Sequence, residues 1–510
     1  MLKILMICIT LCLPFFSSVS HSQNNNPLHV LMIDACFLPD HFELFKNQKI
    51  IVELMTSASP VLQYVHSPKP CVEQYENAVK PHGEVLNVHS HFFGDSLSQL
   101  NKIRRYTDKI INKRGAFDLV ISNNSDLATY VAQDLRAHLN MLPHSRKWDI
   151  ESSDRFYDKY IMKKTLTAND SSIYTAAFID LSSPREEIDA FLKENHFPHN
   201  SIVLKKKRSA GAVGVEIIHT RRDFERKYRK IKELDHYLIE RFIDGSSFRF
   251  NGFVTNDTIP IVISALHRTS PLDHYQGGKS RITTTLDEDL IKKENVQEFT
   301  TRVLKALGMK SGTFHLEGIL SNIDNKMYFV EIAARPGEGN VEEVYNTTYG
   351  YDPKNTFFYQ QTPEGFYTNE EEKLMDSRFF ENTHESQGQV FANLVYPYLD
   401  ANRFTFQHIQ TNLSQNLKNG HPDFPTFQGC VFEKSFESLN EEKLENSGLS
   451  IIRLTFQAGL KAVACRFQGS REDVDHDLNL FQQRYYFKAK KNHTLINSLV
   501  PRSLFKAGGV

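Results

Sequence analysis

The chain has 510 residues, too many for one compact core, which implies roughly two to four structural units. Its apolar share of 40% and charged share of 24% are those of an ordinary folded protein, and Lys+Arg 60 against Asp+Glu 61 leaves a net charge of -1. That balance lacks the basic excess of a nucleic-acid binder, so no nucleic-acid partner is expected, whereas a small-molecule enzyme fits it.

The chain opens on Lys3 and an apolar run over residues 4–16, followed by small polar residues to Ser22. This has about the length of a signal-peptide core, and Ser20-His21-Ser22 supplies a small-x-small cleavage pattern. The run is too short for a comfortable membrane span. Residues 1–22 are therefore read as a signal-peptide-like segment. Outside it, Cys36, Cys71, Cys430 and Cys465 are widely spaced and form no C-x-x-C, which indicates neither a zinc site nor a disulfide framework.

Short apolar runs at residues 29–33, 50–54, 61–65 and 119–121 read as buried strands, and residues 126–139 carry a helical pattern. Buried runs alternating with helices predict a parallel α/β sheet, so residues 28–145 are expected to form a doubly wound domain. Residues 146–370 change character. Strands are predicted near 201–204, 215–218, 237–242, 248–254 and 260–265, then a helix over 296–307. A hairpin follows, with arms 313–320 and 327–333, in an α+β unit of mostly antiparallel pairing. An acidic stretch, 362–387, reads as a surface connection. Residues 388–510 form a last α+β domain with strands near 388–396, 429–432, 450–454 and 462–467 and a helix over 471–486.

Three segments carry chemistry. In the first, the strand Ile202-Val203-Leu204 delivers Lys205, then Lys206-Lys207-Arg208 and the small-residue run from Ser209 through Gly211 to Gly214. Small residues let backbone N–H groups approach phosphate oxygens closely, and the four cations complement a triphosphate. The competing reading is a tight hairpin beside a solvated basic run. In the second, Gly312-x-x-His315-x-Glu317 precedes Glu331-x-x-x-Arg335-Pro336-Gly337. A hairpin centred on Asp324 sets Glu317 opposite Glu331, with Cβ atoms roughly 5 Å apart. Two carboxylates that close repel unless a cation or proton intervenes, and magnesium prefers such hard oxygen ligands. Arg335, just past the strand, is placed to stabilise charge on a transferred phosphoryl group. The alternative is the solvated polar face of an ordinary hairpin. The third segment, Glu240-Arg241-Phe242-Ile243 running into Asp244-Gly245, has the form of an adenine hinge, although any strand ending at a turn looks similar.

Taken in order, these segments resemble the ATP-grasp superfamily, especially its carboxylate–amine ligases related to carnosine synthase and bacterial L-amino-acid ligases. The resemblance covers roughly residues 28–500. It implies an N-terminal Rossmann-like pre-ATP-grasp domain, a two-lobed ATP-grasp domain and a C-terminal α+β domain. It also implies an ADP-forming enzyme that activates a carboxylate as an acyl phosphate and joins it to an amine, using ATP with magnesium or manganese. Carried across, Lys205 would contact adenine and the α-phosphate, and Lys159, opening a helix after Asp158, would be a second phosphate contact. Ser209, Gly211 and Gly214 would belong to the phosphate loop, and Glu240, Arg241, Phe242 and Ile243 to the adenine hinge. Glu317 and Glu331 would hold the metal and Arg335 the phosphoryl group. Arg268 and Arg281 lie where the family places substrate contacts. Three positions depart from the family: Ala333 replaces a common Asn ligand, Ser247 a common Glu, and Lys206 a common Pro. A biotin-carboxylase-like enzyme and an exported, inactive ligand-binding protein are the alternatives. The leader points to export and ATP dependence to the cytoplasm. The substrates are a small carboxylate and an amine, and the oligomeric state is left open, with a homodimer as one option.

Overall fold

The computed structural model describes residues 27–33, 50–57, 80, 83–91, 97–122, 125–141, 149–209, 214–254, 261–267, 281–285, 295–337, 353–362, 390–397, 404–407, 423, 425, 427–432, 461–484 and 486–489. The leader over 1–22, the apolar runs at 61–65 and 450–454, Gly211 and Arg268 lie outside these residues.

Strands β1 (Leu28–Ile33), β2 (Ile50–Ser57) and β3 (Gly83–His91), helix α1 (Leu97–Arg114), strand β4 (Leu119–Ser122) and helix α2 (Asp126–His138) form the N-terminal unit. Its sheet is parallel, in the order β3-β2-β1-β4. The central strands are buried on both faces, and for that reason their sequences run apolar without alternation. Helix α2 starts just past the carboxyl end of β4, where open α/β sheets gather their ligands. The Ser125 side chain accepts a hydrogen bond from the Ala128 N–H and caps it.

Next come β5 (Asp149–Ile150), α3 (Lys159–Asn169), β6 (Tyr174–Thr175), β7 (Phe178–Asp180), α4 (Arg185–Glu194), β8 (Ile202–Lys206), β9 (Glu216–Ile218), α5 (Arg221–Tyr228) and β10 (Tyr237–Arg241). Four of these strands make an antiparallel sheet, β7-β10-β8-β9. Ile188, Leu192 and Phe224 from α4 and α5 close over Ile202, Leu204 and Ile239 to give this lobe its own core.

The second lobe is larger. It holds β11 (Gly245–Val254), β12 (Ile261–His267), β13 (Arg281–Thr285), α6 (Val296–Leu307), β14 (Met309–Ser321), β15 (Met327–Ala333) and α7 (Pro353–Gln360). Helix α6 buries Val296, Thr300, Val303, Leu304 and Leu307, one stripe at helical spacing, over the apolar face of β11, β14 and β15. The remaining elements are β16 (Val390–Pro397), β17 (Phe404–Gln407), β18 (Phe427–Phe432), β19 (Lys461–Gly469), α8 (Arg471–Arg484) and β20 (Tyr486–Ala489). Strands β18, β19 and β16 pair onward through β13, so they extend the same sheet: β18-β19-β16-β13-β12-β11-β14-β15-β6. Helix α8 stops at Arg484, short of the predicted 486, because Tyr486 already pairs as strand with Gln407.

Cys465 is disulfide-bonded, and its register partner in β18 is Cys430. The spacing of the cysteines had indicated no such cross-link. No helix among the described residues is long and apolar enough to cross a membrane.

Gln361 ties the N-terminal unit to the second lobe. The Gln361 side-chain oxygen accepts from the Ser122 N–H at 2.9 Å and its amide donates to the Ser122 carbonyl at 3.0 Å. Fully buried Arg136 adds a 2.7 Å hydrogen bond to the same oxygen.

Candidate active site

Glu317 and Glu331 are register partners on β14 and β15. The turn is tighter than a hairpin centred on Asp324, since Leu320 pairs with Met327. A bulge at Val330 then restores the carboxylates to opposition. Each carboxylate faces a protein cation. Glu331 lies 3.0 Å from the Lys159 ammonium, and Glu317 lies 3.2 Å from the Arg249 guanidinium and 3.3 Å from His315 Nε2. Burial alone would raise the Glu317 carboxyl, but Arg249 and His315 outweigh it and hold it well below the usual carboxylate range. Burial pushes the His315 imidazole down against the pull of Glu317.

Among the described residues no group of three or more His, Cys, Asp or Glu side chains converges as a metal site. A pair of hard carboxylates nonetheless fits magnesium, which commonly takes one or two protein carboxylates plus phosphate oxygens. Ala333 stands opposite His315 and adds no donor.

Next to this pair is a buried lysine cluster. Asp158 caps α3 by accepting from the Tyr160 and Ile161 N–H groups, and the helix then presents Lys159 and, one turn on, Lys163. Lys205 on β8 and Glu240 on β10 are diagonal neighbours on one face, because Lys205 pairs with Leu238 and Glu240 with Val203. The Glu240 carboxylate takes both lysines, Lys205 directly and Lys163 at 3.1 Å. Burial would raise Glu240, but the two ammonium groups hold it below the usual range. Lys163 is pushed down by burial, while at Lys205 burial is outweighed by Glu240 together with Glu331 and Glu317, which raise it.

The Lys159 ammonium also donates to the Ser209 carbonyl, which anchors the start of the small-residue loop. At the loop's end Gly214 has φ +73, and a Cβ there would meet Lys206 Cγ at 2.8 Å, so only glycine fits. In the hinge segment the Glu240 side chain is committed to the lysines, and the Arg241 and Phe242 N–H groups already donate to Ala177 and Ser201. Arg241 lies over the Tyr328 ring and bonds its hydroxyl at 3.3 Å, whereas Phe242 is exposed.

Arg335 is buried and bidentate to Asp126, with both bonds at 2.6 Å. Asp126 is the first residue of α2, so this pair bridges the N-terminal unit and the end of β15. Arg335 outweighs burial at Asp126 and lowers that carboxyl. Just beyond, the Gly337 N–H donates to Asn251 Oδ1 at 3.2 Å. A Cβ on Gly337 would sit 2.5 Å from that oxygen and 2.7 Å from His315 Nδ1, so glycine is required by close approach. Arg281 opens β13, with β12 and β11 between it and β14. Sequence reasoning gave no role to Asp126, Lys163, Arg249, Asn251 or His315. The alternation Phe248-Arg249-Phe250-Asn251, with the aromatics buried in the core, was the signal for two of them.

Residues 199–342, which hold the lysine strand, the hinge and the Glu317–Glu331 hairpin, match the family model of the ATP-grasp domain. Among individual proteins, a D-alanine–D-alanine ligase of Carboxydothermus hydrogenoformans is 24% identical over 199 residues, 37% of this chain. The match spans 62% of that ligase, less than two thirds of its length. The L-amino acid ligase of Bacillus licheniformis superposes with a TM-score of 0.56 at 14% identity, over 91% of this chain and 99% of that one. A biotin carboxylase of Campylobacter jejuni, crystallised as a β-γ-ATP complex, gives 0.51 at 12% identity over 91% and 93%. At these identities the superpositions speak for the fold.

Proposed function

We propose that the chain is an ATP-dependent, ADP-forming ligase that activates a small carboxylate, of the amino-acid or peptide type, and joins it to an amine. The observation that carries this reading is the register opposition of Glu317 and Glu331 beside the Lys159–Lys163–Lys205 cluster. Two carboxylates and three lysines on one site suit a metal–triphosphate and little else of that size. Lys205, Lys159 and the 209–214 loop bind the phosphates, and Arg241, Phe242 and Ile243 line the base. A magnesium or manganese ion held by Glu317 and Glu331 would neutralise charge on the phosphate oxygens. Arg335 stabilises the transferred phosphoryl group once nucleotide draws it from Asp126.

In the reaction a carboxylate oxygen attacks the γ-phosphorus and the bond to the β-phosphate oxygen breaks, releasing ADP. The amine then attacks the acyl carbon, phosphate leaves and the amine loses its proton. Phosphate release with a panel of amino acids tests this. Release that depends on an amine and a carboxylate together supports the ligase, and release that needs bicarbonate instead supports a carboxylase. No release with any substrate contradicts an active enzyme.

A further inference from the structure

We infer that Arg249 receives the substrate carboxylate and the acyl phosphate it becomes; this rests on the ligase reading above. Arg249 stands on β11 between Ala265 of β12 and Glu317 of β14, while Phe248 and Phe250 on either side of it face the apolar core. Its side chain is 7% exposed. A guanidinium carries five N–H donors in a fixed fork, and a buried one is ordinarily matched by acceptors. Arg335 shows such matching, with both arms on Asp126. Lys159 has Glu331, and Lys163 and Lys205 have Glu240. Arg249 instead shares Glu317 with His315, and its buried Nε has no acceptor among the described residues.

When Glu317 turns its charge to a divalent cation, Arg249 loses the one ionic partner it has among the described residues. A carboxylate or acyl phosphate is an anion of the right geometry to bridge the fork. The register partner on the other side is Ala265, and Thr285 follows it in the sheet.

The test uses acetonylphosphonate, an acyl-phosphate analogue in which methylene replaces the bridging oxygen, titrated calorimetrically into the full chain saturated with magnesium-ADP. Wild type should bind it. Arg249→Gln should weaken that binding on the order of 10- to 100-fold, the loss of a charge-assisted pair, and Arg249→Lys should fall between. Because Arg249 contacts Glu317, the proposed metal ligand, the magnesium-ADP affinity of each variant is measured first and the analogue is titrated at saturation for that variant. Equal analogue affinity in wild type and Arg249→Gln, or no binding to wild type, overturns the assignment. So does unchanged analogue affinity with a raised magnesium requirement, which would make Arg249 only a support for Glu317. If Arg249→Gln loses magnesium-ADP binding through misfolding, Arg249→Lys decides: weakened analogue binding upholds the role and unchanged binding overturns it. Wild type that fails to bind magnesium-ADP overturns the ligase reading instead.

Discussion

Glu240→Gln is the substitution whose effect the site geometry defines most closely. Glu240 is buried with Lys163 and Lys205 as its two ionic partners. The change keeps the side-chain shape but leaves two ammonium groups in the interior with no carboxylate between them. Removing one partner from a buried ion pair costs about 3–5 kcal/mol, and the triad should reach at least the lower figure. A pH dependence follows. Glu240 is the strongest upward influence on both lysines, and without it burial holds each below its unfolded value. The unfolded chain then binds more protons than the folded one in the alkaline range, so the variant gains stability as pH rises toward the unfolded lysine pKa. Urea unfolding of wild type and variant at pH 7 and 9.5 reads this out directly. The deficit should be largest at pH 7 and narrower at 9.5, and adding Lys163→Met should recover part of it. A loss under about 1 kcal/mol at pH 7, the scale of an exposed pair, would refute the buried-triad reasoning, as would a deficit that fails to narrow.

Other substitutions separate the remaining roles. Glu317→Gln and Glu331→Gln should each abolish magnesium-dependent turnover while nucleotide-free thermal stability changes less than for Glu240→Gln; near wild-type turnover in Glu331→Gln would remove the metal assignment. Lys205→Ala should weaken ATP binding by about 1.5–3 kcal/mol in calorimetry, as for a charge-assisted hydrogen bond, and unchanged affinity would displace the phosphates from this site. Arg335→Ala should largely keep nucleotide binding yet slow phosphoryl transfer on the order of 10²–10³-fold, and a single-turnover rate within a few-fold of wild type would assign Arg335 to the Asp126 bridge alone.

Much of the fold was legible because local pattern and tertiary burial agree. The unalternating run at β1 predicts a strand covered on both faces, and the stripe on α6 predicts its length to the residue. The Glu317–Glu331 opposition was legible for a similar reason: a short hairpin converts sequence symmetry into register, and the bulge at Val330 compensates for a turn placed half a step early. What stayed hidden depends on pairings between distant segments. Asp126 meets Arg335 only because the N-terminal unit docks on the second lobe, and Arg249 meets Glu317 only through β11–β14 register. Glu240 read as hinge because it ends a strand. Its commitment to two lysines needs the diagonal placement on β10 and β8 together with the arrival of α3. The continuation of the second-lobe sheet into β16, β19 and β18 was hidden likewise, since nothing local in β13 names its next partner.

The central claim is that a carboxylate oxygen attacks the γ-phosphorus of ATP at this site. It is tested by supplying the carboxylate substrate found in the phosphate-release panel with both oxygens labelled as ¹⁸O, together with its amine and magnesium-ATP, and weighing the phosphate released. An acyl-phosphate pathway transfers one carboxylate oxygen to phosphate at each turnover, so the phosphate should carry a single ¹⁸O. Product formed with unlabelled phosphate would contradict it.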